Sequence, residues 1–155
     1  MNSLGAIHEF LRQKRLAIVG VSQKPQDFSR TLFREFQKRG YDVVPVNPAA
    51  RDIEGQPCFA SVRDVQPPVS AVLLMTNPAT TEVVTRDCAE AEVLWVWMYQ
   101  AGGTGGAVNI KAVEFCESKG ITVIPGECPM MFLPGAGWFH RFHGWVKKIA
   151  GSYPR

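Results

Sequence analysis

The sequence lacks the features that mark metal, redox and membrane proteins. Its four cysteines are widely spaced and form no C-x-x-C pair, which argues against a zinc knuckle or a dithiol redox motif. No apolar run approaches the length that crosses a membrane, and the first residues do not follow the basic-then-apolar order of a signal peptide. We therefore expect a reduced, cytoplasmic protein with no membrane partner.

An excess of charge of one sign is also missing. The formal net charge is +3, from 17 basic and 14 acidic residues. This charge is compatible with a polyphosphate ligand, but nucleic-acid binding needs a clustered basic face, so no nucleic-acid partner is expected. The length of 155 residues suits a single domain. Within it, residues 1–13 are predicted to carry an N-terminal helix and residues 130–155 an aromatic C-terminal segment with a last helix.

Strand-like and helix-like segments alternate along the chain. Apolar runs predict strands at 16–19, 42–46, 71–75, 93–98 and 122–124, and helical periodicity predicts helices at 3–13, 29–39, 80–91, 109–119 and 139–150. Thr80 or Thr81 is the predicted N-cap of the third helix, and residues 49–69 are predicted to be an irregular loop with a helical turn near 61–65. The alternation predicts an α/β fold, a single Rossmann-like domain whose parallel sheet has five strands or slightly more, with helices on both faces.

The first strand runs into a turn with one glycine, Gly20-Val21-Ser22-Gln23-Lys24-Pro25. A glycine between a strand and a helix lets backbone amides approach a phosphate closely. We therefore expect a pyrophosphate at this turn, with Ser22 donating a hydrogen bond and Lys24 supplying charge. The dinucleotide fingerprint G-x-G-x-x-G would need glycine where Ser22 and Pro25 stand, so the turn predicts a nucleotide site but argues against NAD.

The second strand ends in Asn47 and Pro48. Dehydrogenases usually place an acidic residue there to bind both ribose hydroxyls. Asn47 is uncharged and tolerates a phosphorylated ribose, and Arg51 lies close in sequence to pair with such a phosphate. Arg30, in the first turn of the helix that follows the first strand, either contacts the ligand or faces water.

One rule for parallel sheets selects the rest of the site. Ligands bind beyond the carboxyl ends of the strands, near the switch in strand order. The segments that follow the five predicted strands are 20–24, 47–51, 76–78, 99–106 and 126–129.

Four motifs follow successive strands in order: VGVSQKP, VPVNP, MTNP and WVWMYQAG. Together they resemble the stand-alone CoA-binding domain family, which is similar to the N-terminal CoA-binding domain of the succinyl-CoA synthetase alpha subunit. The resemblance covers about residues 14–129. It implies a domain that binds coenzyme A or an acyl-CoA as a binding or regulatory module without its own catalysis. By position, the family's CoA contacts carry over to Val21, Ser22, Lys24, Thr76 and Asn77.

Several alternatives stay open. An NAD(P)-dependent oxidoreductase with an atypical phosphate-binding turn is the main rival function. Cys128, after the fifth strand, is either a buried cysteine, a nucleophile paired with His140 or His143, or a partner of the CoA thiol in a mixed disulfide.

The glycine-rich stretch 102–106 has no Walker lysine and is either a mobile loop or a cover for the pantetheine arm. The aromatic C-terminal segment covers the core or forms a surface for a homodimer or a protein partner.

Overall fold

The computed structural model describes residues 3–101 and 105–135 of the chain. Two short 3-10 turns, Val62–Asp64 and Pro129–Met131, accompany the main elements. The helices and strands in chain order are α1 (Leu4–Arg12), β1 (Arg15–Val19), α2 (Phe28–Lys38), β2 (Asp42–Val46), β3 (Asp52–Ile53), β4 (Gln56–Pro57), β5 (Ala71–Leu74), α3 (Pro78–Glu90), β6 (Trp95–Met98), α4 (Ile110–Ser118) and β7 (Thr122–Pro125).

Five of the strands form one parallel sheet in the order β2-β1-β5-β6-β7. This confirms the predicted α/β fold, and the predicted bounds of these elements agree with the observed ones to within two residues. Strand order reverses beside β1, because β2 lies on one side of it and β5 on the other. No helix in the described part of the chain is long and apolar enough to span a bilayer.

Alternate residues of the strands point into two separate cores. In β1, Leu16 and Ile18 join the core beneath α1 and α2, whereas Ala17 and Val19 join the core beneath α3 and α4. All four are buried, as expected for a parallel strand covered on both faces. The first core also contains Met130 and Leu133 from the C-terminal segment, so that part of the segment covers the core. The remaining residues, 136–155, with His140 and His143, lie outside the described residues.

Capping residues set the ends of α2 and the start of α3. The side chain of Asp27 caps α2 by accepting from the Ser29 amide, and Gly40 follows the helix with φ +82°. The N-cap of α3 is Asn77, not Thr80 or Thr81, because Asn77 accepts from the Thr80 amide at 2.9 Å. Pro78 fits the first helical position because its missing N–H is not needed there. The threonine prediction was therefore wrong by one helical turn.

The long segment after β2 is more ordered than its composition indicates. Ser61 caps the predicted helical turn, which is observed as the 3-10 turn Val62–Asp64. The hairpin of β3 and β4 was not predicted, since each strand has only two residues. Its tip holds Glu54 and Gly55, both at positive φ. This hairpin places the Glu54 carboxylate against α2.

Candidate functional site

Two adjoining cavities lie at the carboxyl edge of the sheet, beside the reversal of strand order. The first, here called the α3 cavity, has a volume of about 450 Å³ and lies between α3, the ends of β1 and β2, and the turn at residues 60–62. Its lining is Val19, Gly20, Val46, Asn47, Pro48, Ala60, Ser61, Val62, Met75, Thr76, Asn77, Thr80, Val83, Val84 and Asp87.

The second, here called the α2 cavity, has a volume of about 370 Å³ and lies between the start of α2 and the ends of β5 and β6. Its lining is Asp27, Phe28, Ser29, Met75, Thr76, Asn77, Tyr99, Gly105 and Gly106. The two cavities share the three residues that follow β5, which are Met75, Thr76 and Asn77. The two cavities therefore meet at this segment.

Gly20 is required by the fold as well as by any ligand. Its φ is +92°, and a Cβ there would lie 2.6 Å from the carbonyl oxygen of Met75. Any other residue would push β1 and β5 apart at the reversal of strand order. The Gly20 amide donates to the carbonyl of Val46 at 2.9 Å, so it serves strand pairing.

Asn47 joins the two loops that border the α3 cavity. Its amide nitrogen donates to the Val21 carbonyl at 2.8 Å, and its amide oxygen accepts from the Ala49 backbone at 2.9 Å. A carboxylate at this position could not donate to the Val21 carbonyl. This donation is a structural reason for asparagine in the place where a dehydrogenase has an acid. Pro48, the next residue, also lines the cavity.

Hydrogen bonds to serine hydroxyl groups stabilise the turn after β1. The Ser22 amide donates to Ser29 Oγ at 2.9 Å, and Ser22 Oγ accepts from the Lys24 amide at 3.1 Å. Ser29 Oγ in turn donates to Asp27 at 2.6 Å. Hydrogen bonds from Ser29, first from its side chain and then from its amide, hold the pKa of Asp27 below its ordinary value. A carboxylate therefore stands at the start of α2, where a nucleotide-binding helix would present free amides to phosphate.

Arg30 lies behind the turn. It is only 7% exposed, so it does not face water. Its Nη1 donates to the carbonyls of Ser22 and Gln23 at 3.1 and 3.3 Å, and its Nε pairs with Glu54 at 3.2 Å. Arg34 also pairs with Glu54, at 2.8 Å. Arg30 thus fixes the backbone of the turn from its protein side.

The remaining predicted residues divide into three groups. Thr76 and Asn77 line both cavities, with Thr76 Oγ1 2.6 Å from Thr81 Oγ1. The Val21 side chain is fully buried, so only the backbone of Val21 is available to a ligand. Lys24 and Arg51 are exposed on the loops beside the cavities, and neither forms a salt bridge within the described residues.

Cys128 is buried, with 5% of its surface exposed, and is not among the described residues that line the two cavities. It lies near Tyr99, which lines the α2 cavity with its ring 5.7 Å from that of Phe28. Burial raises the pKa of Tyr99 to about 12, and a thiolate at the nearby Cys128 would raise this pKa further. Tyr99 is therefore a neutral hydroxyl at physiological pH.

The sequence analysis missed the deeper wall of the α3 cavity. This wall comes from α3 and from the turn after β4, with Val62, Val84 and Asp87 as its main members. Only one signal could have pointed to the part of this wall that α3 supplies. Thr80, Val84 and Asp87 recur at a spacing of four and three on one helix face, but the same pattern also describes a face packed on the core.

The strand order, the glycine turn at its reversal and the cavities beyond the strand ends define a doubly wound α/β domain of the nucleotide-binding class. A family model described as CoA binding domain matches residues 14–134. The chain belongs to this family, as its motifs predicted.

Similar sequences and structures cover most of this domain. The uncharacterized protein YneT of Bacillus subtilis (strain 168) is 30% identical over 127 residues, which cover 81% of this chain and 90% of that protein. A hypothetical protein from Pyrococcus horikoshii OT3 has a similar structure, with a TM-score of 0.75 and 26% identity over 84% of this chain and 92% of that one. Acetate–CoA ligase [ADP-forming] I of Archaeoglobus fulgidus is 25% identical over 120 residues, 74% of this chain but only 18% of the ligase.

Proposed function

We propose that this domain binds coenzyme A, or an acyl-CoA, across the two adjoining cavities, as a binding or regulatory module. The observation that carries the proposal is the shared segment Met75, Thr76 and Asn77, which joins the cavities at the reversal of strand order. Coenzyme A has a nucleotide head and a long pantetheine arm, so it suits two adjoining cavities better than a single nucleotide does. Membership of the CoA binding domain family supports the same ligand.

The two cavities suit the two halves of the ligand. Five valines line the α3 cavity and give it apolar walls, which favour the faces of an adenine ring. The α2 cavity carries the rings of Phe28 and Tyr99 beside Gly105 and Gly106, which suits a narrow, uncharged pantetheine arm. The pyrophosphate then lies between the cavities, at Thr76 and Asn77.

Charge on the neighbouring loops supports this orientation. Lys24 follows the β1 turn and Arg51 follows β2, and in the described part of the chain neither has a carboxylate partner in a salt bridge. We assign Lys24 to the pyrophosphate and Arg51 to the 3′-phosphate of the ribose. The oxidoreductase alternative is weaker, because Asn47 already donates to the Val21 carbonyl and supplies no charge to a ribose diol.

The test is calorimetric titration of the reduced protein with CoA, acetyl-CoA, NAD and NADP, using a variant that blocks the α3 cavity. Val83 lines this cavity and is 62% exposed, so Val83→Glu introduces a carboxylate without disturbing the core. We expect saturable CoA binding by the wild type and at least about tenfold weaker binding by the variant, because the longer, charged side chain would occupy the space assigned to the adenine ring.

Ile110→Glu is the matched control. Ile110 is a helical residue that is 72% exposed, and it does not line either cavity. The same change there should leave CoA binding at the wild-type level. Preferential binding of NAD or NADP, or equal weakening by both variants, would contradict the proposal.

A further inference from the structure

We propose that Asp87 determines which base the α3 cavity accepts, selecting adenine by accepting a hydrogen bond from its exocyclic amino group. This inference rests on the proposed function, since it places the nucleotide head of the ligand in that cavity. Asp87 is the acidic group among the residues that line the α3 cavity.

The position of Asp87 matches the base end of the ligand. Thr80, near the start of α3, is exposed and its amide donates to the Asn77 side chain, and Asp87 lies seven residues further along the same helix. Seven residues of α-helix rise about 10 Å. The phosphates are assigned to the mouth, beside Thr76 and Asn77, so the base of an extended nucleotide reaches toward Asp87.

The carboxylate of Asp87 is oriented by two partners. Ser61 Oγ donates to Oδ2 at 3.1 Å, and Arg63 Nε pairs with Oδ1 at 3.3 Å. The side chain of Asp87 is only 23% exposed. Each carboxylate oxygen can accept two hydrogen bonds, so the Asp87 carboxylate can still accept a hydrogen bond from another donor. Val62 and Val84 supply apolar walls near this carboxylate.

A carboxylate only accepts hydrogen bonds, so it favours a base with a donor at position 6 over a base with an acceptor there. Adenine presents an amino group as a donor at position 6, whereas hypoxanthine presents a carbonyl oxygen of nearly the same size. The carbonyl would face the Asp87 carboxylate without a proton between them, which is unfavourable in a partly buried site. The same negative charge disfavours a phosphate at this end, so Asp87 also sets the direction in which the ligand enters.

The test compares adenosine 3′,5′-bisphosphate with inosine 3′,5′-bisphosphate by calorimetric titration, alongside CoA. The wild type should bind the adenosine compound about tenfold or more tightly than the inosine compound. Asp87→Asn should reduce this preference to about threefold or less, because an amide can both donate and accept. Asp87→Ala, whose side chain neither donates nor accepts hydrogen bonds, should also lose the preference for the adenosine compound.

Glu90→Gln is the matched control. Glu90 lies one turn further along α3 and also pairs with Arg63, at 3.0 Å, but it does not line the α3 cavity. This variant should keep the wild-type preference for adenine. If CoA binds but the wild type does not distinguish the two bisphosphates, or Asp87→Asn and Asp87→Ala keep the preference, the role of Asp87 is overturned while the proposed function stands. If CoA itself does not bind, the proposed function fails and this inference fails with it.

Discussion

At the scale of single residues, the least expected feature of the site is the carboxylate of Asp27. It caps α2 and lines the α2 cavity, close to where the pyrophosphate is proposed to lie. Its pKa is held below the ordinary value, mainly by the hydrogen bond from the Ser29 side chain, so it is charged at neutral pH. Asp27 therefore stabilises the helix but opposes an anionic ligand.

Replacing Asp27 by asparagine separates these two effects. Asparagine is as good an N-cap as aspartate, so thermal stability should change little. Removing the charge should strengthen CoA binding by about two- to fivefold at low salt, and the gain should shrink as salt is added. Titration at two salt concentrations measures both effects.

Asp42→Asn is the control for this charge change. Asp42 is exposed and pairs with Arg15 at 3.0 Å, at the opposite end of the strands. It should leave CoA affinity unchanged. An Asp27→Asn variant of normal thermal stability that binds CoA no more tightly than the wild type would show that Asp27 does not face the ligand.

At the scale of elements, the β3–β4 hairpin supports the turn after β1 from a distance. Glu54 at the hairpin tip pairs with Arg30 and Arg34 of α2, and Arg30 holds the Ser22 and Gln23 carbonyls. Burial alone would raise the pKa of Glu54, but the hydrogen bonds from Arg34 and Arg30 outweigh it and lower the pKa. The stability that this pairing adds is present above the ordinary pKa of glutamate and is lost as pH falls through the lowered pKa.

Glu54→Gln should therefore weaken CoA binding although Glu54 lines neither cavity. Removing its charge leaves the buried guanidinium of Arg30 without its carboxylate partner and frees the turn to shift. We expect affinity to fall on the order of fivefold, measured by titration at pH 7.

Glu35→Gln provides the comparison on the same helix. Glu35 pairs with Lys38 and Arg39, and among the described residues it has no salt bridge to the turn. It should cost a similar amount of thermal stability while leaving CoA affinity intact. Equal affinity losses in the two variants would mean that Glu54 acts only through general stability.

At the scale of the whole molecule, several weak acids are buried or half-buried within the domain. Burial raises the pKa of Cys116 from 9.0 to about 11 and that of Tyr99 from 10.0 to about 12, and it also raises the pKa of Cys88. These groups release protons at lower pH in the unfolded chain than in the folded one. Their contribution to stability is complete below pH 9 and is lost as pH rises from 9 toward 12.

Urea unfolding of the reduced protein at a series of pH values checks this prediction. The midpoint should be level between pH 7.5 and about pH 9 and should then fall steadily. Cys116→Ala should have a lower midpoint at neutral pH, because it leaves a small cavity, but a shallower fall above pH 9. A midpoint that stays level to pH 10.5 in the wild type would contradict the assigned shifts.

Much of this architecture follows from local sequence. Short apolar runs such as residues 16–19 predict buried parallel strands, and the spacing of Leu32, Phe33 and Phe36 predicts the inner face of α2. Gly20 and Gly40 mark turns because only glycine adopts their positive φ without strain. The strand-end rule then located Gly20, Asn47, Pro48, Thr76 and Asn77, all of which line the α3 cavity.

The sequence by itself therefore determined the succession of strands and helices along the chain, the family, and the part of the site at the strand ends. Only the tertiary structure decided the depth and chemistry of the site. Asp87 lines the cavity because α3 packs with Thr81, Thr85 and Cys88 against the core, which turns Val84 and Asp87 toward the turn at Ser61. That rotation depends on contacts between segments far apart in the chain, and a local pattern does not contain them.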